Sequence, residues 1–216
     1  MTGGRLRLGL GTALVLTLPI AITVWAAPPP TDQLRKSIDQ VLRVLKDPEM
    51  NSAPRAGQRR AVLRKIAGEI FDYAEITKRA LGRHWQARTP AERVEIVRLF
   101  SHLLERSYIA KIELYNGERI AYTGESVDGE QAIVRIRIVT RQGKEIPVEY
   151  RMLRRGDRWL TYDLTIEGVS LVSNYRGQFN KILQSGSHGE LVKRLREAVE
   201  DRTEEGGPKV RRASQR

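Results

Sequence analysis

The chain is 216 residues long and carries 38 Lys and Arg against 26 Asp and Glu, a formal net charge of +12, with no cysteine. A hydrophobic share of 40% excludes a disordered or fibrous chain, and the length fits one domain with tails, large enough to enclose an apolar core or cavity. Without cysteine there are no disulfides, thiolate zinc sites, cysteine nucleophiles or lipid-modified N-terminal cysteine, while the charge favours anionic partners without saying which.

At the N-terminus Arg5 and Arg7 precede an uncharged apolar run from Leu8 to Ala27, with Val24-Trp25-Ala26 around a cleavage point. This is the pattern of a secretory signal peptide over residues 1–26. An uncleaved anchor is the alternative, because about 20 apolar residues just span a bilayer, but Gly9, Gly11 and Pro19 weaken the run as a spanning helix. The folded part is then exported, and its basic surface meets membranes and envelope proteins rather than nucleic acid. Two of the positive charges leave with the leader, and four, Lys209, Arg211, Arg212 and Arg216, lie in a polar tail over 202–216 that is expected to be disordered. From Ala27 to Glu205, between the leader and those four residues, the net charge is a modest +6.

Behind a proline linker over 27–30, with Thr31 and Asp32 as candidate caps, Leu34, Ile38, Val41, Leu42 and Leu45 recur at helical spacing until Asp47-Pro48. A second helix after Pro54 presents Val62, Leu63, Ile66, Ala67, Ile70 and Phe71. Asp72-Tyr73-Ala74-Glu75 is a capping box that opens a short third helix ending at Gly82, and Thr89-Pro90-Ala91-Glu92 is another that opens a long one, expected to reach about Tyr115. The period then falls to two. Strands are expected over Ile120 to Ser126, through Ala132, Val134, Ile136 and Ile138, through Ile146, Val148, Tyr150 and Met152, and through Leu160, Tyr162, Leu164 and Ile166, with Trp159, Thr161 and Asp163 on the opposite face of the last. Turns at Asp128-Gly129, Gln142-Gly143 and Gly156-Asp157 join them into an antiparallel meander. Two closing helices carry Val169, Val172, Tyr175, Phe179 and Ile182, then Leu191, Leu195 and Val199. The fold class is α+β, an antiparallel sheet of about four strands covered by N- and C-terminal helices over 31–201.

A catalytic constellation is hard to find. His84, His102 and His188 are far apart and form no metal-ligand pair at helical spacing, so no metal or other cofactor is expected. Ser170 lacks the following glycine of a nucleophile elbow and suits a helix N-cap better. Asp163 and Glu167 form a weak candidate carboxylate pair, with His84 as a further acid-base candidate for an enzyme acting on a small hydrophobic molecule. The apolar residues aimed at one interior are more informative, although a filled core is commoner than a ligand cavity and periodicity does not separate the two.

Several short motifs occur in a consistent order: Phe71-Asp72-Tyr73, Ala80-Leu81-Gly82-Arg83-His84-Trp85, Thr89-Pro90-Ala91-Glu92-Arg93, Tyr115-Asn116-Gly117-Glu118, and Tyr162-Asp163 followed by Ile166-Glu167-Gly168-Val169-Ser170-Leu171. On them the chain, from about Thr31 to Val199, resembles the MlaC family, also called toluene-tolerance or Ttg2-type proteins. The resemblance implies a cystatin- or NTF2-like domain with extra helices that holds a phospholipid by its tails in the periplasm. It also implies exchange of lipid with an inner-membrane ABC transporter carrying an MCE-domain subunit and with an outer-membrane lipoprotein complex, in service of outer-membrane lipid asymmetry, with no reaction catalysed. An NTF2-like enzyme on a small hydrophobic substrate is the alternative, and an envelope protein that docks on anionic membrane without a pocket is a third.

Two acyl chains expose on the order of 30 methylenes at about 0.8 kcal/mol each, roughly 24 kcal/mol in water, so a carrier must supply apolar lining. The candidates are Val134, Ile136, Val148, Tyr150, Met152, Tyr162, Leu164 and Ile166 from the sheet and Tyr108, Ile112, Val169, Val172 and Tyr175 from the helices, about half of which are expected to serve the core alone. Lys111, Arg83 and Arg151 are weaker candidates for contact with a head-group phosphate.

Overall fold

The computed structural model describes residues 28–201. The leader assigned to 1–26 and the tail assigned to 202–216 lie outside them. Helix α1, Pro30–Lys46, starts one residue ahead of the expected cap, because Pro30 in the first turn has a helical φ and no N–H to satisfy. Thr31 and Asp32 therefore do not cap, and the Thr31 N–H donates to Glu125 at 2.7 Å instead. Gln33 brackets the backbone of Trp159, accepting from its N–H at 2.9 Å and donating to its carbonyl at 2.6 Å. The start of α1 is thereby pinned across the sheet.

A 3-10 turn leads into α2, Ala56–Ile70, and then α3, Tyr73–Leu81. Asp72 caps α3 by accepting from the Glu75 N–H at 2.9 Å, but the reciprocal half of the expected box is absent. Glu75 turns instead to Arg79 at 2.8 Å and to Arg155 at 3.5 Å, which also reaches Asp72 at 3.1 Å. The box at Thr89 is complete and opens α4, Pro90–Ile112. It stops three residues short of Tyr115, where the Glu113 carboxylate is held by Arg59 of α2 at 2.8 Å and by Arg60 at 3.1 Å.

The strands β1 (Arg119–Asp128), β2 (Gln131–Val139), β3 (Glu145–Arg155) and β4 (Arg158–Ile166) form the expected antiparallel meander. A fifth, β5, Val169–Ser170, adds to the edge of β4 and gives the order β1-β2-β3-β4-β5. Val169 was expected on a helix face and belongs to this edge strand, because the chain must turn back at Glu167-Gly168 before α5, Leu171–Ser185, can begin. The last helix is α6, His188–Asp201.

In β4 the simple alternation fails. Arg151 pairs with Asp163 and Met152 with Thr161, so Tyr162 is an extra residue opposite the step between them. Past this bulge the faces exchange. Trp159 and Thr161, expected outside, are buried with Met152, while Leu164 and Ile166 keep the inner face beyond it. The inner face meets α1, α2, α3 and α4 around Phe100, Leu103, Leu81 and Ile96. The outer face carries ion pairs of Arg135 and Arg151 with Glu149 and of Arg137 with Glu145, all at 3.0 to 3.2 Å.

Candidate functional site

Between the inner face of the sheet and the helices lies a cavity of about 440 Å³. Its sheet wall consists of Ile138 and Ile146, then Ile136, Val148 and Ile166, then Tyr150 and Leu164, in rows set by the strand register. Leu34, Ile38, Val41, Leu42 and Leu45 of α1 form the facing wall, with Ala67, Ile70 and Phe71 from α2 and its end, and Leu104, Tyr108, Ile109 and Ile112 from α4. The helix periodicity produces this wall directly: the α1 stripe at i, i+4, i+7, i+8 and i+11 faces one way. Only Leu34 of that stripe is fully buried; Ile38 and Val41 pack against the core as well as lining the cavity, and Leu42 and Leu45 border the open space.

The mouth lies where α4, the β2–β3 hairpin and the β4–β5 turn converge. Lys111, Leu114, Tyr115, Glu118 and Thr140 line it. Lys111 sits over the Tyr108 ring at 5.2 Å, and Lys46 over the Tyr115 ring at 5.9 Å. The Lys144–Glu167 ion pair at 2.9 Å ties the two sheet turns together beside it. Of the large apolar side chains exposed among the described residues, Ile112 and Leu114, the latter at 77%, line the cavity at this end, while Val94, Val127 and Val169 do not.

Of the thirteen candidate lining residues, the structure brings seven to the cavity: Tyr108, Ile112, Ile136, Val148, Tyr150, Leu164 and Ile166. The other six stand elsewhere for local reasons. Val134, Met152 and Val172 are packed into the solid core. Tyr175 meets the edge of Phe100 at 4.7 Å. Tyr162, the bulge residue, lies under the Arg79 guanidinium at 3.9 Å, and Val169 is on the exposed edge strand. Of the three cations considered for a head group, Lys111 is at the mouth. Arg83 hydrogen-bonds Asn180 of α5 at 3.1 Å, and Arg151 is on the outer face of the sheet. The α1 wall, Phe71, Ile120, Ile138 and Ile146 were not singled out from the sequence, nor was Lys46. An amphipathic helix beside an equally apolar sheet was the available signal for α1.

The acid-base candidates are engaged structurally. Asp163 accepts from the N–H of Leu164 at 2.9 Å, the N–H of Val172 at 3.0 Å and the hydroxyl of Ser170 at 2.7 Å. Ser170 in turn caps α5 by accepting from Ser173 N–H at 3.0 Å. Glu167 is exposed and pairs with Lys144, so the two acids do not form a site. His84 lies 3.0 Å from Asn180. Among the described residues no three His, Asp or Glu side chains come together as a metal site, and no helix is long and apolar enough to cross a membrane.

The polar groups on the wall are few. Glu105 of α4 lines the cavity, and the Tyr73 hydroxyl donates to it. Burial lifts the Glu105 carboxyl above its ordinary range, against the lowering effect of His102, Arg64 and that hydrogen bond. Residues 35–197 match the MlaC protein family. The chain belongs to that family. It is 25% identical over 183 residues to the toluene tolerance protein ttg2D of Pseudomonas putida, covering 83% of each chain. The fold is shared, at a TM-score of 0.72 and 24% identity, with a phospholipid-binding protein of Ralstonia solanacearum determined in complex with a phospholipid. That likeness covers 82% of this chain and all of the other. The motif Ile166-Glu167-Gly168-Val169-Ser170-Leu171 of this MlaC protein now has a physical content: it turns the chain at the mouth, caps α5, and sets Ile166 and Leu171 on the cavity wall.

Proposed function

We propose that this chain is a phospholipid carrier, with acyl tails in the cavity and head group at the mouth, and that it catalyses no reaction. The observation that carries the reading is the cavity itself. A space of about 440 Å³ bounded by aliphatic and aromatic side chains on every wall, with basic and tyrosine side chains at its opening, fits an amphiphile with apolar tails and an anionic head. Membership of the MlaC family supports it, as does the Ralstonia protein of the same fold, which carries a phospholipid.

The finer reading is of a periplasmic shuttle between the inner and outer membranes. Its partners are an ABC transporter with an MCE-domain subunit on one side and an outer-membrane lipoprotein complex on the other, and its role is to maintain outer-membrane lipid asymmetry. Export is supported by Arg5, Arg7 and the apolar run behind them. Native mass spectrometry of the protein purified from cells tests the carrier reading: bound phospholipid is expected at the intact mass, and a protein that emerges empty and takes up no added phospholipid overturns it.

A further inference from the structure

Four tyrosines, Tyr73, Tyr108, Tyr115 and Tyr150, line the cavity. The first donates to Glu105, and the next two stand near the mouth under Lys111 and Lys46. Tyr150 is different. Its phenol is enclosed by the apolar wall, and among the described residues its hydroxyl has no hydrogen-bond partner. Burial pushes its pKa well above the ordinary tyrosine value, so the group keeps its proton and remains a donor. An O–H facing an apolar chain with no acceptor is a penalty to binding. A cargo that brings an acceptor to this point removes it.

The register gives the depth of Tyr150 in the sheet wall. Ile138 and Ile146 form the outer row of the sheet wall, Tyr122, Ile136, Val148 and Ile166 the next, and Val134, Tyr150 and Leu164 the one below. Tyr150 thus stands two rows in from Ile146, about 13 Å at 3.3 Å per residue, and its side chain shares the cavity with Val148 and Ile166 of the row above. A diacyl glycerophospholipid has hydrogen-bond acceptors in its head group and in its two ester carbonyls. With the head group at the mouth, the carbonyls are the acceptors that reach this level.

We propose that Tyr150 is a specificity-determining residue that donates a hydrogen bond to an acyl ester carbonyl of the cargo, so that the cavity prefers ester-linked glycerophospholipids to ether-linked ones of equal chain length. This inference rests on the carrier reading above. One net hydrogen bond corresponds to a preference of about threefold to tenfold.

The test is competition between dioleoyl and dioleyl-ether phosphatidylglycerol, at equal concentrations, for the delipidated protein, read by native mass spectrometry. The wild type is expected to load the ester lipid about threefold to tenfold over the ether. Tyr150→Phe is expected to load both equally with an unchanged or raised thermal midpoint, since no bond within the protein is lost. Tyr122→Phe, whose hydroxyl is buried but not on the cavity wall, is the control and should keep the preference. Equal loading by the wild type, a preference that survives Tyr150→Phe, or its loss in Tyr122→Phe overturns the inference and leaves the carrier reading standing. If neither lipid loads, the carrier reading falls as well.

Discussion

Glu105 sits on the cavity wall next to Leu104 and Tyr108, and burial there raises its carboxyl above the ordinary value of 4.5. Its folded-state value exceeds the unfolded one, so its contribution to stability is present at low pH and is lost as pH rises through the folded value. Glu105→Gln keeps an acceptor for the Tyr73 hydroxyl and removes the charge. Its thermal midpoint should match that of the wild type near pH 4 and exceed it increasingly toward neutrality; an offset that does not change with pH would refute this account. Asp163 shows the limit of reading single residues. Its type and its spacing from Glu167 are visible in the sequence and fit a carboxylate pair as well as a structural role. The structural role is decided by the turn at Glu167 (φ 49°) and Gly168 (φ 83°), which swings Ser170 and the first N–H groups of α5 onto the carboxylate. That conformation suits glycine and strains glutamate, and no periodicity announces it.

At the level of elements, periods of near four and of two give α1 through α6 and β1 through β4 with small errors at their ends. What they do not give is the face each residue takes after an irregularity. The extra residue at Tyr162 turns Trp159 and Thr161 inward and takes Tyr162 out of the cavity, and a bulge has no signature in an alternating run of Leu160, Tyr162, Leu164 and Ile166. Nor can an amphipathic stripe say whether it presses on side chains or on empty space. For α1 it is both: Ile38 and Val41 pack on the core and line the cavity, while Leu42 and Leu45 line it only partly buried. Such residues gain burial when cargo arrives, which separates binding from stability. Leu42→Ala should leave the thermal midpoint of the delipidated protein almost unchanged and weaken phospholipid retention about fivefold, since roughly half of three lost methylene equivalents is about 1 kcal/mol. Retention equal to that of the wild type would mean that α1 does not touch the cargo.

For the whole molecule the constraint is transfer. Chains that are worth roughly 24 kcal/mol in water cannot leave the cavity into solvent, so the mouth must abut an apolar acceptor while they move. The distribution of exposed apolar side chains fits that requirement. Ile112 and Leu114 lie exposed at the opening where α4 ends, with Lys111 and Lys46 beside them. Val94 is as exposed, at 70%, but lies near the other end of α4, 18 residues and about 27 Å from Ile112. The pair makes a controlled comparison. Leu114→Asp places a charge where the acceptor must seal, whereas Val94→Asp places the same charge near the start of α4, far from the opening. Both variants should fold and load phospholipid to the wild-type extent. Delivery from loaded protein to phospholipid vesicles, followed by a fluorescent lipid, should slow about tenfold in Leu114→Asp, the equivalent of about 1.4 kcal/mol at the sealed contact, and remain unchanged in Val94→Asp. Equal rates in the two variants would place the exit path somewhere other than this mouth.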